Sequence, residues 1–274
     1  MVQILTASEA KKSILRNTLA IDSTEELELK NGLSRVCAKT IICPIDVPGY
    51  TNSAMDGYAI NVDNARKRQT SASLWNRAPE KIKIIGKATA GHPYYGDFNE
   101  DAAIQIMTGA IVPAGYDTVV INEDVTVSNG NLNIKEFPKK GGNVREAGED
   151  LRKGEVCISK HKTLTAADLG LLASVGISKI SVFKKPKVAI FSTGDEIKNP
   201  NESLSVGQIY DSNRFSLAGM LQKIGMDIID LGIIPDNPIT LKKILGNASS
   251  SSDALITTGG VSVGERDYMK TVLN

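Results

Sequence analysis

The last third of the chain alternates between short apolar segments and helical patterns, and this order strongly restricts the fold. KVAIFSTGDE, MDIIDLGII and ALITT are typical of strands, while NRFSLAGMLQKIG and NPITLKKILG lie between them and place apolar residues at helical spacing. Neighbouring parallel strands need such crossovers, which are almost always right-handed. Residues 185–274 therefore predict a doubly wound, three-layer α/β domain with helices on both faces of a parallel sheet.

Capping residues and glycines indicate where the helices begin and end. Asn237, followed by proline, is typical of a helix start and Gly246 of a helix end, which leaves the serine-rich stretch NASSSSDA as a loop. Near the N-terminus a helix is predicted over residues 8–20, with Ser8 as its N-cap. A capping pattern in TAADLGLLASVG predicts a further short helix.

Residues 43–150 differ in composition and consist of short β-rich runs separated by Gly, Pro, Asn and Asp. VTVSNGNLNIKE is typical of a hairpin, with Asn129 and Gly130 at its turn. Many short strands at this spacing favour a small barrel or a sandwich.

These changes in pattern divide the chain into four segments. They are an N-terminal helical segment and linker (1–42), a β-rich, barrel-like domain (43–150), a segment that completes the linker (151–184) and the α/β domain (185–274). The predicted fold class is a mixed α/β and β multidomain protein, which agrees with a length of 274 residues.

Composition and charge exclude several functional classes. The 32 basic and 31 acidic side chains give a formal net charge of +1, which provides no general field for nucleic acid or anionic membranes. The three cysteines form neither a CxxC pair nor an even set, which indicates reduced thiols buried as small hydrophobic groups. The sequence shows no signal peptide and no apolar run of membrane-spanning length, so we expect a cytoplasmic protein.

Acidic loops follow the three predicted strands of the α/β domain. STGDE contains Asp195 and Glu196, PDN contains Asp236, and GGVSVGERD contains Asp267. Loops that follow parallel strands emerge at one edge of the sheet, where ligands of open α/β folds bind. We therefore expect these acids to lie close together.

TTGGVSVGERD is the most informative of these loops. It matches the GxSxG nucleophile elbow around Ser262, but His92 and His161 both precede this serine, against the residue order of the hydrolase triad. The remaining functional interpretation is a glycine turn whose N–H groups approach an anion. A phosphate beside acids requires an intervening divalent cation, which favours Mg²⁺, whereas a tight turn with solvated acids is the alternative.

The β-rich segment contains three further polar motifs. Asp56 lies in PGYTNSAMDGYAI, and Thr108 lies at a polar kink in MTGAIVPAGYDTVV. REAGED places Arg145 near Asp150, and an arginine there suits a phosphate or, equally, a neighbouring carboxylate. Each motif alone is also consistent with an ordinary turn.

Together these motifs resemble the molybdopterin molybdenumtransferases, the bacterial MoeA type and the related E domain of gephyrin. The matching pieces follow the family's order and are SAMDGYA, MTGAIVPAGYDTVV, REAGED, FSTGDEI, GQIYDSN and TTGGVSVGERDY. The resemblance implies insertion of molybdenum from molybdate into adenylylated molybdopterin, with Mg²⁺ and release of AMP. It also implies a homodimer whose cleft lies between the molybdopterin-binding α/β domain of one subunit and the β-rich domain of the other.

The resemblance and the glycine turn together predict the residues of the site. The predicted catalytic residues are Asp56, Glu196 and Asp267, and the predicted metal ligands are Glu196, Asp236 and Asp267. The predicted cofactor-binding residues are Thr108, Arg145, Asp150, Thr193, Gly194, Gly259, Gly260, Ser262 and Gly264.

The sequence departs from the family pattern after the GGVSVG loop. Family members continue with a lysine-bearing segment of the GKP type, which helps to bind molybdate and phosphate, and then with a small C-terminal β domain. Neither occurs before Asn274, so we expect an α/β domain that is incomplete at its C-terminus. The alternative function is a non-catalytic module that binds molybdopterin nucleotide or a partner. The adenylyltransferase that makes the pterin adenylate is disfavoured, because it needs no β-rich half.

Overall fold

A computed structural model describes residues 5–74 and 81–259 of the protein. The α-helices of this part of the chain are α1 (Ala7–Asn17), α2 (Val62–Leu74), α3 (Ala166–Ser174), α4 (Ser212–Lys223) and α5 (Pro238–Ser251), and short 3-10 helices span Leu29–Asn31 and Asn122–Asp124. Of the helices described, none is both long and apolar enough to cross a membrane.

The strands of the same residues are mostly short. They are β1 (Thr24–Glu28), β2 (Ile41–Ile42), β3 (Asn52–Ser53), β4 (Gly57–Ile60), β5 (Ile82–Ala88), β6 (Ala102–Ile106), β7 (Thr118–Ile121), β8 (Val125–Ser128), β9 (Asn131–Ile134), β10 (Val144–Arg145), β11 (Val156–Ile158), β12 (Lys179–Phe183), β13 (Lys187–Thr193), β14 (Ile197–Lys198), β15 (Ile209–Tyr210), β16 (Asp227–Ile234) and β17 (Ala254–Thr257).

The chain forms two compact units. Among the described residues, unit 1 comprises 5–39, 160–169 and 178–259, and unit 2 comprises 40–74, 81–159 and 170–177. Both units are therefore built from segments that are distant in the sequence.

Unit 1 contains a parallel sheet in the order β16-β13-β17. The central strand β13 is buried from its second residue to its last. Its side chains alternate between two helices, because Val188 and Ile190 pack with Leu221 of α4, whereas Phe191 packs with Leu245 of α5. The predicted order β-α-β-α-β and the three-layer arrangement are confirmed.

A second sheet of unit 1 pairs β1 with β12 in antiparallel register. Arg35 is buried beside it, with 8% of its surface exposed. Its guanidinium Nη2 donates to Glu25 Oε1 at 2.5 Å and to the carbonyl oxygen of Phe183 at 2.8 Å. These bonds tie β1 and β12 together.

Unit 2 is built on a six-stranded sheet in the order β7-β4-β6-β5-β9-β8, which curls into a half-barrel. All four residues of β4 are buried, because both faces of this strand are covered. Tyr58 and Ile60 join one apolar cluster with Val120, and Ala59 joins another with Ile104. The predicted β-rich, barrel-like architecture is confirmed.

The predicted hairpin is also present, as β8 and β9. Val125 lies opposite Ile134, and the turn residues Asn129 and Gly130 have φ values of 49° and 72°. Two successive left-handed residues are typical of the turn that matches the twist of a hairpin.

The predicted start of α1 is wrong by two residues. The N-cap is Thr6 rather than Ser8, because Thr6 and Glu9 form a capping box. The N–H of Thr6 donates to Glu9 Oε2 at 2.8 Å, and the N–H of Glu9 donates to Thr6 Oγ1 at 3.3 Å. The helix ends at Asn17, and its apolar residues are exposed instead of packed against the core.

The predicted end of α5 is also wrong, since the helix continues through Gly246 to Ser251. The serines that suggested a loop bond instead to carbonyls of the preceding turn. Ser249 Oγ donates to the Gly246 carbonyl at 2.9 Å, and Ser252 Oγ donates to the Ala248 carbonyl at 2.6 Å. Ala248, in this last part of the helix, is buried.

The three cysteines are free thiols. Cys37 and Cys43 are buried as expected, whereas Cys157 is only half-buried. Desolvation and a hydrogen bond with Cys43 raise the pKa of the Cys157 thiol to about 11. Cys157 is therefore protonated at neutral pH.

Replacing Gly246 with alanine tests the longer helix. Gly246 lies in the interior of α5, and an added Cβ meets nothing within 4 Å. We expect Gly246→Ala to raise the free energy of unfolding by about 1 kcal/mol, since alanine is the better helix former. Gly225 is the matched control, because its φ of 80° makes alanine destabilising there. Denaturant unfolding measures both, and a destabilised Gly246→Ala protein would contradict the longer helix.

Asp168 should make stability depend on pH. It caps α3, and its carboxylate accepts from Lys162 Nζ at 2.6 Å and from the N–H of Thr165 at 2.9 Å. The bond from Lys162, followed by that from Thr165, lowers the pKa of Asp168. Because the folded-state pKa is lowered, the stabilisation is present above the unfolded-state pKa and is lost as the pH falls through the folded-state pKa.

We therefore expect Asp168→Asn to lower the free energy of unfolding by about 1 kcal/mol at pH 7. The difference from the unchanged protein should shrink as the pH falls below about 4, the ordinary range of an aspartic acid. Urea unfolding at pH 7 and at pH 3 measures this change, and an equal difference at both pH values would contradict the assignment.

Candidate functional site

The carboxyl edge of the parallel sheet brings the acidic loops of unit 1 together. Thr193 is the last residue of β13, and its Oγ1 donates to Asp236 Oδ1, two residues beyond β16, at 3.4 Å. Gly259 follows β17 and lies so close that an added Cβ would come within 2.4 Å of the Thr193 carbonyl oxygen. The loops after all three strands thus meet around Thr193.

Glu196 folds back over the end of β13. Gly194 has a φ of 146°, and a Cβ added to it would lie 2.7 Å from Glu196 Oε2. The positive φ favours glycine after Thr193, and the carboxylate end of Glu196 lies against it. Glu196 is exposed and Asp236 is half-buried, so the two acids adjoin the strand end on its solvent side.

Several predicted residues of this edge lie outside the described residues, namely Gly260, Ser262, Gly264 and Asp267. Asp267 belongs to the predicted metal ligands with Glu196 and Asp236. Within residues 5–74 and 81–259, no group of three or more His, Cys, Asp or Glu side chains is arranged to hold a metal ion. The three-acid metal site stays a prediction.

A buried ion-pair network lies next to this edge, and the sequence analysis missed it. Asp211 and Arg214 are 4% and 5% exposed, and Arg214 Nε donates to Asp211 Oδ2 at 2.7 Å. Arg214 Nη1 also donates to Asp230 Oδ2 at 2.5 Å. Burial raises the pKa of Asp211, but its hydrogen bonds with Arg214 and Ser192 outweigh this effect and hold the pKa below its usual value. The available signal was Asp230, an acid in the interior of the otherwise apolar run IIDLGII.

In unit 2, two of the polar motifs meet at Asp56. The N–H and the hydroxyl of Thr108 both donate to Asp56 Oδ1, each at 2.7 Å. These two bonds, with the backbone bond contributing more, lower the pKa of Asp56. Both residues are exposed, so an ionised carboxylate faces solvent at this point.

Gly57, next to Asp56, is packed against the neighbouring strand. A Cβ on Gly57 would lie 2.0 Å from the carbonyl oxygen of Val120, which is backbone and has no room to move aside. The glycine of SAMDGYA is therefore required for the pairing of β4 with β7.

The third motif of unit 2 pairs with the first through β10 and β3, where Arg145 lies opposite Asn52. Arg145 Nε donates to Glu149 Oε1 at 2.5 Å, and its Nη2 donates to Asp150 Oδ2 at 2.8 Å. These bonds, first that from Glu149, raise the pKa of the guanidinium. Of the two possibilities for Arg145, the carboxylate pairing is observed, and a contact with phosphate stays a prediction.

Comparison with protein families accounts for both units. Residues 5–176 match the family described as the MoeA N-terminal region (domain I and II). Residues 189–274 match the family described as a probable molybdopterin binding domain. The two matches together cover the segments that contain every predicted site residue.

Curated proteins that are similar in sequence to this chain include molybdopterin molybdenumtransferases and gephyrin. The molybdenumtransferase of Haemophilus influenzae is 40% identical over 271 residues, which are 98% of this chain and 64% of the relative. That of a Nostoc species is 33% identical over 91% of this chain and 56% of its own length. Gephyrin of Dictyostelium discoideum is 34% identical over 97% of this chain and 39% of its own length.

Solved structures agree with the sequence relatives. Two structures of the molybdopterin biosynthesis MoeA protein of Pyrococcus horikoshii match with TM-scores of 0.81 and 0.83, at 31% and 28% identity. The matches cover 99% and 94% of this chain and 66% and 67% of those chains. The chain spans less than two thirds of the Haemophilus and Nostoc relatives. By the matches over both of its units, the chain belongs to the MoeA family of molybdopterin molybdenumtransferases.

Proposed function

We propose that the protein acts in molybdenum cofactor biosynthesis by inserting molybdenum from molybdate into adenylylated molybdopterin, with Mg²⁺ and release of AMP. The observation that supports this proposal is the meeting of three loops at Thr193, with the acids Glu196 and Asp236 beside it. A carboxyl edge of this kind is where open α/β sheets bind nucleotide-like ligands. The relatives named molybdopterin molybdenumtransferase support the choice of ligand.

The donor atoms at this edge fit Mg²⁺. Glu196 and Asp236 offer carboxylate oxygens, which are the hard ligands that Mg²⁺ prefers, and neither carboxylate is paired with a cation in the described contacts. In the proposal these two acids, with Asp267, hold the ion. A bound Mg²⁺ would neutralise phosphate charge and help AMP to leave.

The chain's own groups orient the substrate in this proposal. The N–H of Gly259 donates to Thr257 Oγ1 at 3.3 Å, so in this proposal Gly260 and Gly264 would offer their N–H groups to the phosphate, and Ser262 would donate a hydrogen bond. Thr193 keeps Asp236 in place through its hydroxyl. On unit 2, the two hydrogen bonds from Thr108 orient the Asp56 carboxylate, which places a fixed negative charge on that surface.

The same proposal includes a homodimer and a cytoplasmic location for the protein. In a homodimer, the α/β domain of one subunit and the β-rich domain of the other would form the cleft. This would explain why both units contain polar motifs. The substrates are adenylylated molybdopterin and molybdate, and the proposed compartment is the cytoplasm.

A non-catalytic binding module is the second candidate. Such a module would bind the pterin nucleotide at the same edge without turnover.

The decisive experiment mixes the purified chain with adenylylated molybdopterin, Mg²⁺ and molybdate, and follows AMP release by chromatography. We expect release by the unchanged protein, and a decrease on the order of 100-fold for Glu196→Ala or Asp267→Ala, because each would remove a proposed ligand of the Mg²⁺ that neutralises the phosphate charge. Glu136→Ala is the matched control, since Glu136 is an exposed acid of unit 2 outside the site.

The outcomes separate the candidates. Tight binding of the adenylylated pterin without AMP release would favour the binding module. An equal decrease for Glu136→Ala would show that net charge, rather than the site acids, controls the rate.

A second prediction concerns the pair formed by Asp56 and Thr108. Thr108→Val removes the hydroxyl donor but keeps the N–H, so the pKa of Asp56 should rise toward its ordinary value. Thr108→Ser keeps the donor and should leave the pKa unchanged. Titration of the Asp56 carboxyl by ¹³C NMR measures the shift without reference to activity. We also expect Thr108→Val to slow AMP release, and identical titration curves for the valine and serine variants would refute this prediction.

A further inference from the structure

Arg214 occupies an unusual place for a positive charge. It lies in the first turn of α4 and is 5% exposed, and among the described residues the only other buried arginine is Arg35. Three nitrogens of Arg214 have separate partners. Nε reaches Asp211 at 2.7 Å, Nη1 reaches Asp230 at 2.5 Å, and Nη2 reaches Asn199 Oδ1 at 3.0 Å.

The three partners of Arg214 come from different parts of the chain. Asp230 lies in β16, and its other oxygen accepts the N–H of Gly232 at 2.9 Å. Asn199 directly follows β14, three residues after Glu196. Asp211 caps α4 and also binds the side chain of Ser192 in β13.

The network continues from β13 to the loop after β17. The hydroxyl oxygens of Ser192 and Thr258 are 2.7 Å apart, and Thr258 immediately precedes Gly259. Arg214 is therefore linked, through side chains alone, to β16, to β13 and to the residue that follows β17. Through Thr258 the network reaches the loop after β17, and through Asn199 it reaches the segment that follows Glu196.

The chemistry requires arginine at this place. Asp211 is a nearly inaccessible carboxylate, which is costly to bury unless it is paired and hydrogen-bonded. The planar guanidinium satisfies three acceptors in fixed directions, whereas an ammonium group is a single point charge on a flexible stem. Lysine would keep the charge of Arg214 but would lose the fixed geometry that joins the three acceptors.

We propose that Arg214 is a positioning residue, which holds residues 194–199 and 257–259 in one arrangement so that these loops bind the pterin nucleotide. It acts through Asp211, Ser192 and Asn199 without touching the ligand. The proposal rests on the proposed function for the identity of the ligand, but the effect on the loops can be measured without any ligand.

The test compares Arg214→Lys with Arg35→Lys, the matched change at the other buried arginine. Hydrogen exchange of the backbone amides reports on the loops, and binding of adenylylated molybdopterin with Mg²⁺ is measured well below both melting temperatures. We expect exchange at residues 194–199 and 257–259 to become at least tenfold faster in Arg214→Lys, and binding to weaken about tenfold. In Arg35→Lys, faster exchange should be confined to β1 and β12, with unchanged affinity.

A purely structural role would lower the melting temperature of both variants and leave the affinity of the folded protein unchanged. Unchanged exchange at both loops in a folded Arg214→Lys protein would therefore overturn the proposal, as would faster exchange with unchanged affinity. If Arg214→Lys does not fold, Asp230→Asn replaces it. That change weakens only the partly exposed partner and should have the same effects to a smaller degree.

Failure of the proposed function is distinguishable from failure of this inference. If the unchanged protein does not bind adenylylated molybdopterin, the proposed ligand is wrong. The exchange data at residues 194–199 and 257–259 still decide whether Arg214 organises the loops.

Discussion

The burial of β13 between α4 and α5 is the constraint on which the α/β unit depends. Phe191 and Ile190 point to opposite helices and are fully buried. Each such side chain contributes roughly 1.5–3 kcal/mol by leaving water. Since both faces of the strand are occupied, its register is determined, and so is the point where it ends. That point is Thr193, where the loops of the candidate site meet.

In unit 2 the register of two strands likewise determines where Asp56 and Thr108 lie. Gly57 in β4 lies opposite Ile106 in β6, and the two strands are antiparallel. Asp56 precedes the one strand and Thr108 follows the other, so the pairing itself brings the carboxylate to its two donors. The strand pairing thus joins residues 52 positions apart in the sequence.

The strands, the helices and the edge where the acids meet could be predicted, because burial on two faces leaves a regular pattern in the sequence. Helix ends were less predictable, since several local signals compete. At the N-terminus, the box formed by Thr6 and Glu9 outweighs Ser8, and at Gly246 the glycine signal is overridden by the packing of Ala248. The network around Arg214 could not be predicted as a whole. Asp211 lies three residues before Arg214, but Asp230 and Asn199 are 16 and 15 residues away, and only the fold brings them to the same guanidinium.

The packing of the sheets explains the glycines of two motifs without reference to any ligand. In SAMDGYA, a side chain at Gly57 would collide with the backbone of the adjacent strand, and in TTGG, one at Gly259 would collide with the Thr193 carbonyl. Both positions are therefore restricted by the assembly of the sheets themselves. Loss of activity on substituting either glycine would carry no information about which molecule binds there, so the ligand must be identified through side chains that the fold does not require.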